Sequence, residues 1–248
     1  MAASLRAGPY AWRVSEPRHP RSSDEELLEA ETSAILAELT DAQRLLRIQD
    51  ELRNGFQALG RIGKAVSIFG SARTPREDPR YEQACRLARR LGEEGFAIIT
   101  GGGPGIMEAA NKGAREAGVP SVGLGIELPH EQGMNEYVDL ALNFHYFFAR
   151  KVMFVRYASG FVVYPGGFGT LDELFEAATL RQTEKIRYFP IVLVGRDYWG
   201  GLVDWLRDSA LTAGNISPGD VSSLSVCDDT GDVLRILEDC EHRRPRAA

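Results

Sequence analysis
From residue 65 onward the chain alternates short apolar runs with stretches whose apolar positions recur at helical spacing. The runs at 65–69, 97–100, 121–125, 140–144, 161–164, 191–194 and 223–226 predict strands. Between and after them, 79–94, 105–117, 146–157, 170–181, 198–210 and 230–240 carry the periodicity of amphipathic helices. Strands this short and this rich in Val and Ile are covered on both faces. The pattern therefore predicts an α/β fold, a mostly parallel sheet with helices on both sides. Such a sheet binds ligands at the C-terminal ends of its strands, beside a switch in strand order.

Upstream of the sheet, Leu27, Leu28, Ile35, Leu36 and Leu39 recur at helical spacing, followed by Leu45, Leu46, Ile48, Leu52, Phe56 and Leu59. They predict two helices, parted near Thr40-Asp41, that form an extension over 23–60 ahead of a domain at 61–242. About 40 residues make a weak independent core, so these stripes are expected to pack on the domain or on a second subunit. Residues 1–22, with Pro9, Pro17 and Pro20 among Arg, Ser and Glu, read as a flexible tail.

Composition narrows the partners. With 248 residues, 44% hydrophobic and 26% charged, the chain suits a soluble globular protein with a substantial core. Four lysines stand beside twenty-five arginines, yet the formal net charge is −6. An acidic chain without an interleaved basic and aromatic pattern points away from nucleic acid and membrane surfaces. No apolar run approaches the ~20 residues of a membrane span, and the N-terminus has no apolar leader segment. Cys85, Cys227 and Cys240 are too scattered for a disulfide framework and read as reduced thiols in a cytoplasmic protein.

Two glycine-rich loops carry the candidate chemistry. Thr100-Gly101-Gly102-Gly103-Pro104-Gly105 and Tyr164-Pro165-Gly166-Gly167-Phe168-Gly169-Thr170 each follow a predicted strand and open a predicted helix. Bare backbone N–H groups and a helix dipole aimed at one spot make an anion site, and two such sites on one sheet suggest a nucleotide. A dinucleotide-binding dehydrogenase is the first reading to test, with Glu127 about 20 residues past the first loop to meet a ribose. The G-x-G-x-x-G spacing fails, because Ile106 or Glu108 falls where the last glycine belongs. No G-x-x-x-x-G-K-[ST] or G-x-S-x-G run occurs, and His130 and His145 lack a paired metal-ligand pattern.

The stretch from Gly101 to Ala110, the stretch from Pro165 to Glu173, and Phe148-Ala149-Arg150-Lys151-Val152-Met153 between them together resemble the LOG family, also labelled lysine-decarboxylase-like. The similarity covers about residues 64 to 240. It implies a Rossmann-like fold, at least a dimer, and neither metal nor pyridoxal phosphate as cofactor. It also implies a phosphoribohydrolase that cleaves nucleoside 5′-monophosphates, N6-modified AMP among them, to a free base and ribose 5-phosphate. The extension before residue 64, and Pro104-Gly105 with Glu108 in the first loop, depart from the shorter plant-type members.

Each candidate residue carries a structural reading beside the chemical one. Gly166, Gly167 and Gly169 would admit a 5′-phosphate with Thr170 as hydroxyl donor; equally, Thr170 would cap a tight strand-to-helix turn. Thr170-x-x-Glu173 fits a capping box, whereas the family resemblance makes Glu173 the catalytic carboxylate. Asp172 is expected to face solvent and the helix dipole. Arg150, on a partly buried helix with Lys151, would hold an anionic ligand and orient the carboxylate, or form a structural ion pair with the helix of Glu173. Gly101, Gly102, Gly103 and Gly105 would admit ribose or base, with Met107 as an apolar wall. Glu108 would accept from a ribose hydroxyl or cap its helix. Ser71 resembles the family's first Gly-Ser turn, and Glu131, Met134 and Asn135 are candidate base contacts. Trp199, Trp205, Ile191 and Val192 read as core or interface. A nucleotide- or cofactor-carrying protein without hydrolysis is the alternative function.

Overall fold
The computed structural model describes residues 22–28, 39–127 and 133–243. The expected tail over 1–21, Ile35 and Leu36 of the extension, and His130 and Glu131 lie outside the described residues. Seven strands form one parallel sheet: β1 (Ala65–Phe69), β2 (Ala97–Thr100), β3 (Ser121–Ile126), β4 (Leu140–Phe144), β5 (Phe161–Val163), β6 (Ile191–Val194) and β7 (Leu224–Cys227). Their spatial order is β4-β3-β2-β1-β5-β6-β7. The central strands β1, β2, β5 and β6 are buried at every position, which is why their sequences read as apolar runs without alternation.

Helices cover both faces, as the periodicity predicts. On one face α2 (Asp41–Leu59), α5 (Phe147–Tyr157), α6 (Phe168–Gln182) and α7 (Arg196–Trp205) bury Leu59, Met153, Phe154, Leu174 and Trp199 against Phe69, Phe161 and Leu193. On the other, α3 (Pro79–Glu93), α4 (Ile106–Ala117) and α9 (Thr230–Arg243) bury Leu87, Leu91, Ile106, Ala110 and Leu237 against Val66, Ile68 and Ile98. The sheet, flanked on both sides, is a Rossmann-like α/β fold.

Some boundaries differ from the periodicity, each for a local reason. Helix α6 starts at Phe168 with Gly167 as its N-cap, ahead of the predicted start at 170. Pro218 after the capping residue Ser217 starts an unpredicted short helix, α8 (Pro218–Ser222). The predicted helix at 198–210 ends as α7 at Trp205 and continues as a π-helical turn over Leu206–Leu211. Trp199 is core at 1% exposure, while Trp205 stands on the surface at 56%.

The extension contributes α1 (Ser23–Leu28) and α2. Thr40 and Gln43 close a reciprocal capping box at the start of α2. Ile48, Leu52 and Leu59 pack on the core, while Leu45 and Leu46 on the same helix are exposed. Among the described residues no helix is long and apolar enough to cross a membrane.

Candidate functional site
The strand order reverses between β1 and β5. The chain leaves β1 for α3 on one face and leaves β5 for α6 on the other, which opens a crevice between the two departing loops. Ser71 stitches this point together. Its N–H donates to the Pro165 carbonyl at 3.0 Å, and its carbonyl accepts from the Ile106 N–H at 3.1 Å. The loop after β1 thus touches both glycine loops. Gly105 makes the contact possible: its φ is +68°, and a Cβ there would run into the Ser71 carbonyl and stand 2.9 Å from the Ala72 carbonyl carbon.

The second loop is built bare. A Cβ on Gly166 would collide with Thr170 Oγ1 and stand 3.1 Å from the Ser71 nitrogen, whereas Gly167 and Gly169 face open space. Tyr198 Oη donates to the Gly166 carbonyl at 2.6 Å and holds the loop from the α7 side. Beside it lies an open pocket of about 230 Å³ lined by Ser71, Arg73, Arg80, Pro165, Gly166 and Tyr198. Arg73 and Arg80 bring positive charge to this pocket, and Gly166 leads from it toward the N-terminus of α6.

The start of α6 at Phe168 corrects the capping reading of Thr170-x-x-Glu173. Thr170 sits inside the first turn, 7% exposed, and Gly167 occupies the cap without a side-chain bond. Glu173 is therefore free of the cap. It is 3% exposed, and neither carboxylate oxygen accepts a hydrogen bond. The nearest cation is Arg150, whose terminal nitrogen lies 3.7 Å from Oε1. Burial pushes the Glu173 carboxyl up to about 7, against the pull of Arg150 and Lys151.

Arg150 is nearly as enclosed, with its side chain 13% exposed and its Nε without a partner. It packs on the rings of Phe147 and Phe154, at 5.1 and 5.4 Å from their centroids. Burial lowers its pKa, opposed chiefly by Glu173. Lys151 reaches the same helix α6 and bridges Asp172 at 2.8 Å and Glu176 at 3.0 Å. Asp172 thus has a lysine partner where the sequence suggested solvent and the helix dipole.

The first loop is locked by polar groups that sequence reasoning passed over. Thr100 Oγ1 donates to Asn111 Oδ1 at 2.6 Å and accepts from the Gly102 N–H at 2.9 Å. Asn135 Nδ2 donates to the carbonyls of Gly102 and Gly103 and to Asn111 Oδ1, each at 3.0 Å. The expected base contact from Asn135 is corrected accordingly, since its amide nitrogen is already engaged and its Oδ1 accepts from the Tyr137 N–H. The one signal available was Asn111, a lone amide on the Ala-rich buried face of α4. Met134 lies against Gly102 and Gly123, and Met107 against Gly101 and Gly103.

Glu108 neither caps α4, whose N-cap Gly105 makes no side-chain bond, nor stands free. It accepts from Tyr81 Oη at 2.7 Å and pairs with Arg76 at 2.6 Å. His145 pairs through Nδ1 with Glu51 of the extension at 2.7 Å. Among the described residues no three His, Cys, Asp or Glu side chains gather into a metal-binding group.

A doubly wound parallel sheet with an open glycine cradle at its switch point defines a Rossmann-like ligand-binding protein. The comparisons narrow this class: residues 107–237 match the family described as possible lysine decarboxylase, and the chain belongs to this LOG/lysine-decarboxylase-like family. It is 33% identical to the cytokinin riboside 5′-monophosphate phosphoribohydrolase of Mycobacterium tuberculosis, over 68% of this chain and 91% of that protein. It is 27% identical to the enzyme of the same description, LOG7, from Arabidopsis thaliana, over 72% of this chain and 82% of that protein. The fold is also that of the molybdenum cofactor carrier protein of Chlamydomonas reinhardtii, with a TM-score of 0.54 at 20% identity over 73% of this chain and 99% of that one.

Proposed function
We propose that this protein is a phosphoribohydrolase that cleaves the N-glycosidic bond of AMP, N6-modified AMP or a related nucleoside 5′-monophosphate. The observation that carries the reading is Glu173: a buried carboxylate without a hydrogen-bond partner, one helical turn below a bare glycine cradle and 3.7 Å from an arginine. Leaving such a group unpaired is costly to the fold, and groups of this kind cluster where chemistry is done.

In this reading the 5′-phosphate rests on the N–H groups at 166–170 and on the Thr170 hydroxyl, which leaves C1′ of the ribose facing Glu173. The bond from C1′ to the base nitrogen breaks and its electron pair leaves with the base. Water forms the new C1′–O bond, and its proton passes to the Glu173 carboxylate and then to the departing base or solvent. The ionised carboxylate also stabilises positive charge developing on the ribose, and Arg150 orients carboxylate and sugar. Preorganised charge and orientation provide most of the acceleration. Met107 and Met134 flank the first glycine loop as apolar walls for the base. Glu108, held by Tyr81 and Arg76, presents its remaining acceptor capacity to a ribose hydroxyl, and Lys151 stands one layer back through Asp172 and Glu176.

Membership in the family supports a hydrolase acting on nucleotides, and the named activities of its relatives supply the class of reaction. Phe147, Phe148, Val152 and Phe175 on α5 and α6 are 37–43% exposed. We propose that this apolar surface joins two copies of the chain in a homo-oligomer. Incubation with a panel of purine and pyrimidine monophosphates, read by chromatography, tests the reaction. Free base and ribose 5-phosphate are expected. Release from none of them refutes the proposal, and tight binding of an unchanged nucleotide identifies a carrier instead.

A further inference from the structure
The extension grips the short segment that leads into Arg150. Two of its carboxylates, one from each helix, accept from neighbouring backbone N–H groups at the β4–α5 turn. Glu51 of α2 accepts from His145 at 3.2 Å, and Asp24 of α1 accepts from Phe147 at 3.1 Å. Phe147 is the first residue of α5, so Asp24 satisfies a donor that no side chain of α5's own N-cap reaches. Helix α1 is itself tied on two further sides. The Ser23 N–H donates to Glu127 Oε2 beyond β3, and Arg47 of α2 donates to Ser23 Oγ. One turn along α5 from Phe147 lies Arg150, which packs on the Phe147 ring.

We propose that Asp24 is a positioning residue for the hydrolysis proposed above: it holds the first turn of α5 and balances the charge of Arg150 opposite Glu173. The inference rests on that functional reading for its effect on turnover. The charges around the two carboxylates are few. Asp24 faces Arg150 and Glu127, and Glu173 faces Arg150 and Lys151 from α5 and Asp172 and Glu176 from its own helix. Burial raises the Asp24 carboxyl above its ordinary range, while the Phe147 N–H and Arg150 draw it back. A negative charge on the extension side of Arg150 offsets part of the field that the guanidinium exerts on Glu173. Removing that charge leaves the guanidinium free to favour ionised Glu173.

The test uses the full chain with Asp24→Ala and Asp24→Asn. For each, kcat and KM for AMP are measured against pH, and Glu173 is titrated by carboxyl carbon-13 NMR in glutamate-labelled protein. Asp24→Ala is expected to lower kcat about tenfold or more with little change in KM, as the helix start relaxes. Asp24→Asn keeps an acceptor for the Phe147 N–H and is expected to recover most of kcat. Its acidic limb and its Glu173 titration nevertheless move to lower pH. Wild-type kcat in Asp24→Ala overturns the positioning role, and wild-type titration in Asp24→Asn overturns the charge role. If the wild type releases no base from any nucleotide, the hydrolysis reading falls, and the Glu173 titration still decides whether Asp24 acts on that carboxylate.

Discussion

Glu173→Gln separates a working carboxylate from a structural one, because only a working carboxylate couples a loss of turnover to removal of the pH-dependent cost of its own ionisation. Burial raises the Glu173 carboxyl from its ordinary 4.5 to about 7, so the folded state disfavours the ionised form. Below the unfolded value both states carry the proton and no penalty exists. As pH rises from 4.5 to 7 the unfolded chain releases its proton first, and wild-type stability falls throughout that window. A displacement of this size corresponds to about 3 kcal/mol in full, most of which develops between pH 5 and pH 8. Glutamine cannot ionise, so its stability has no such slope. Whatever fixed penalty the buried amide carries is the same at both pH values and cancels in the difference. Urea denaturation of both proteins at pH 5 and pH 8 reads the quantity directly. The variant is expected to gain on the wild type by about 2–3 kcal/mol across that interval, while base release falls by roughly 10²–10⁴-fold. A pH-independent stability difference together with near-normal turnover refutes the reasoning.

Four further outcomes follow from the same geometry. For the wild type, kcat/KM is expected to rise with pH to a plateau above about 7, because ionised Glu173 is the active form; a profile flat from pH 5 to 8 contradicts that assignment. Thr170→Val should weaken binding of monophosphates about tenfold and of nucleosides hardly at all, measured by calorimetry; equal losses move the phosphate elsewhere. Gly105→Ala should cost at least about 2 kcal/mol, or roughly 4–8 °C in Tm, because it strains a positive φ and drives a methyl into the Ser71 carbonyl; an unchanged melting curve contradicts the packing described. Light scattering should give at least a dimer, and Val152→Asp on the exposed face of α5 should shift it toward monomer; a monomeric wild type refutes the proposed interface.

Most of the fold was legible in the sequence because each signal is local. A strand covered on both faces has to be apolar at successive positions, so the seven runs announced the seven strands, and the glycine loops fell at strand ends by simple adjacency. The site was legible as a set of residues and ambiguous in their roles. Thr170-x-x-Glu173 supported both a cap and a catalytic carboxylate, and the choice depended on where α6 begins. Gly167 moves that start to Phe168, which places Thr170 inside the first turn and leaves Glu173 buried without a hydrogen-bond partner. Asn135 went the other way, from a candidate ligand contact to a group engaged by the backbone of the first loop, while Glu108 gained Tyr81 and Arg76 as partners that the sequence did not announce.

By itself the sequence determined the α/β layering, the two anion-ready loops and the family, since periodicity and motif spacing depend only on neighbouring positions. The tertiary structure alone decided that Ser71 joins both loops, that Thr100, Asn111 and Asn135 form one network, and that Asp24 and Glu51 hold the turn before Arg150. Those contacts pair residues as far as 123 positions apart. Their strength comes from burial, which removes competing water, and burial exists only once the sheet and both helical layers have closed around them.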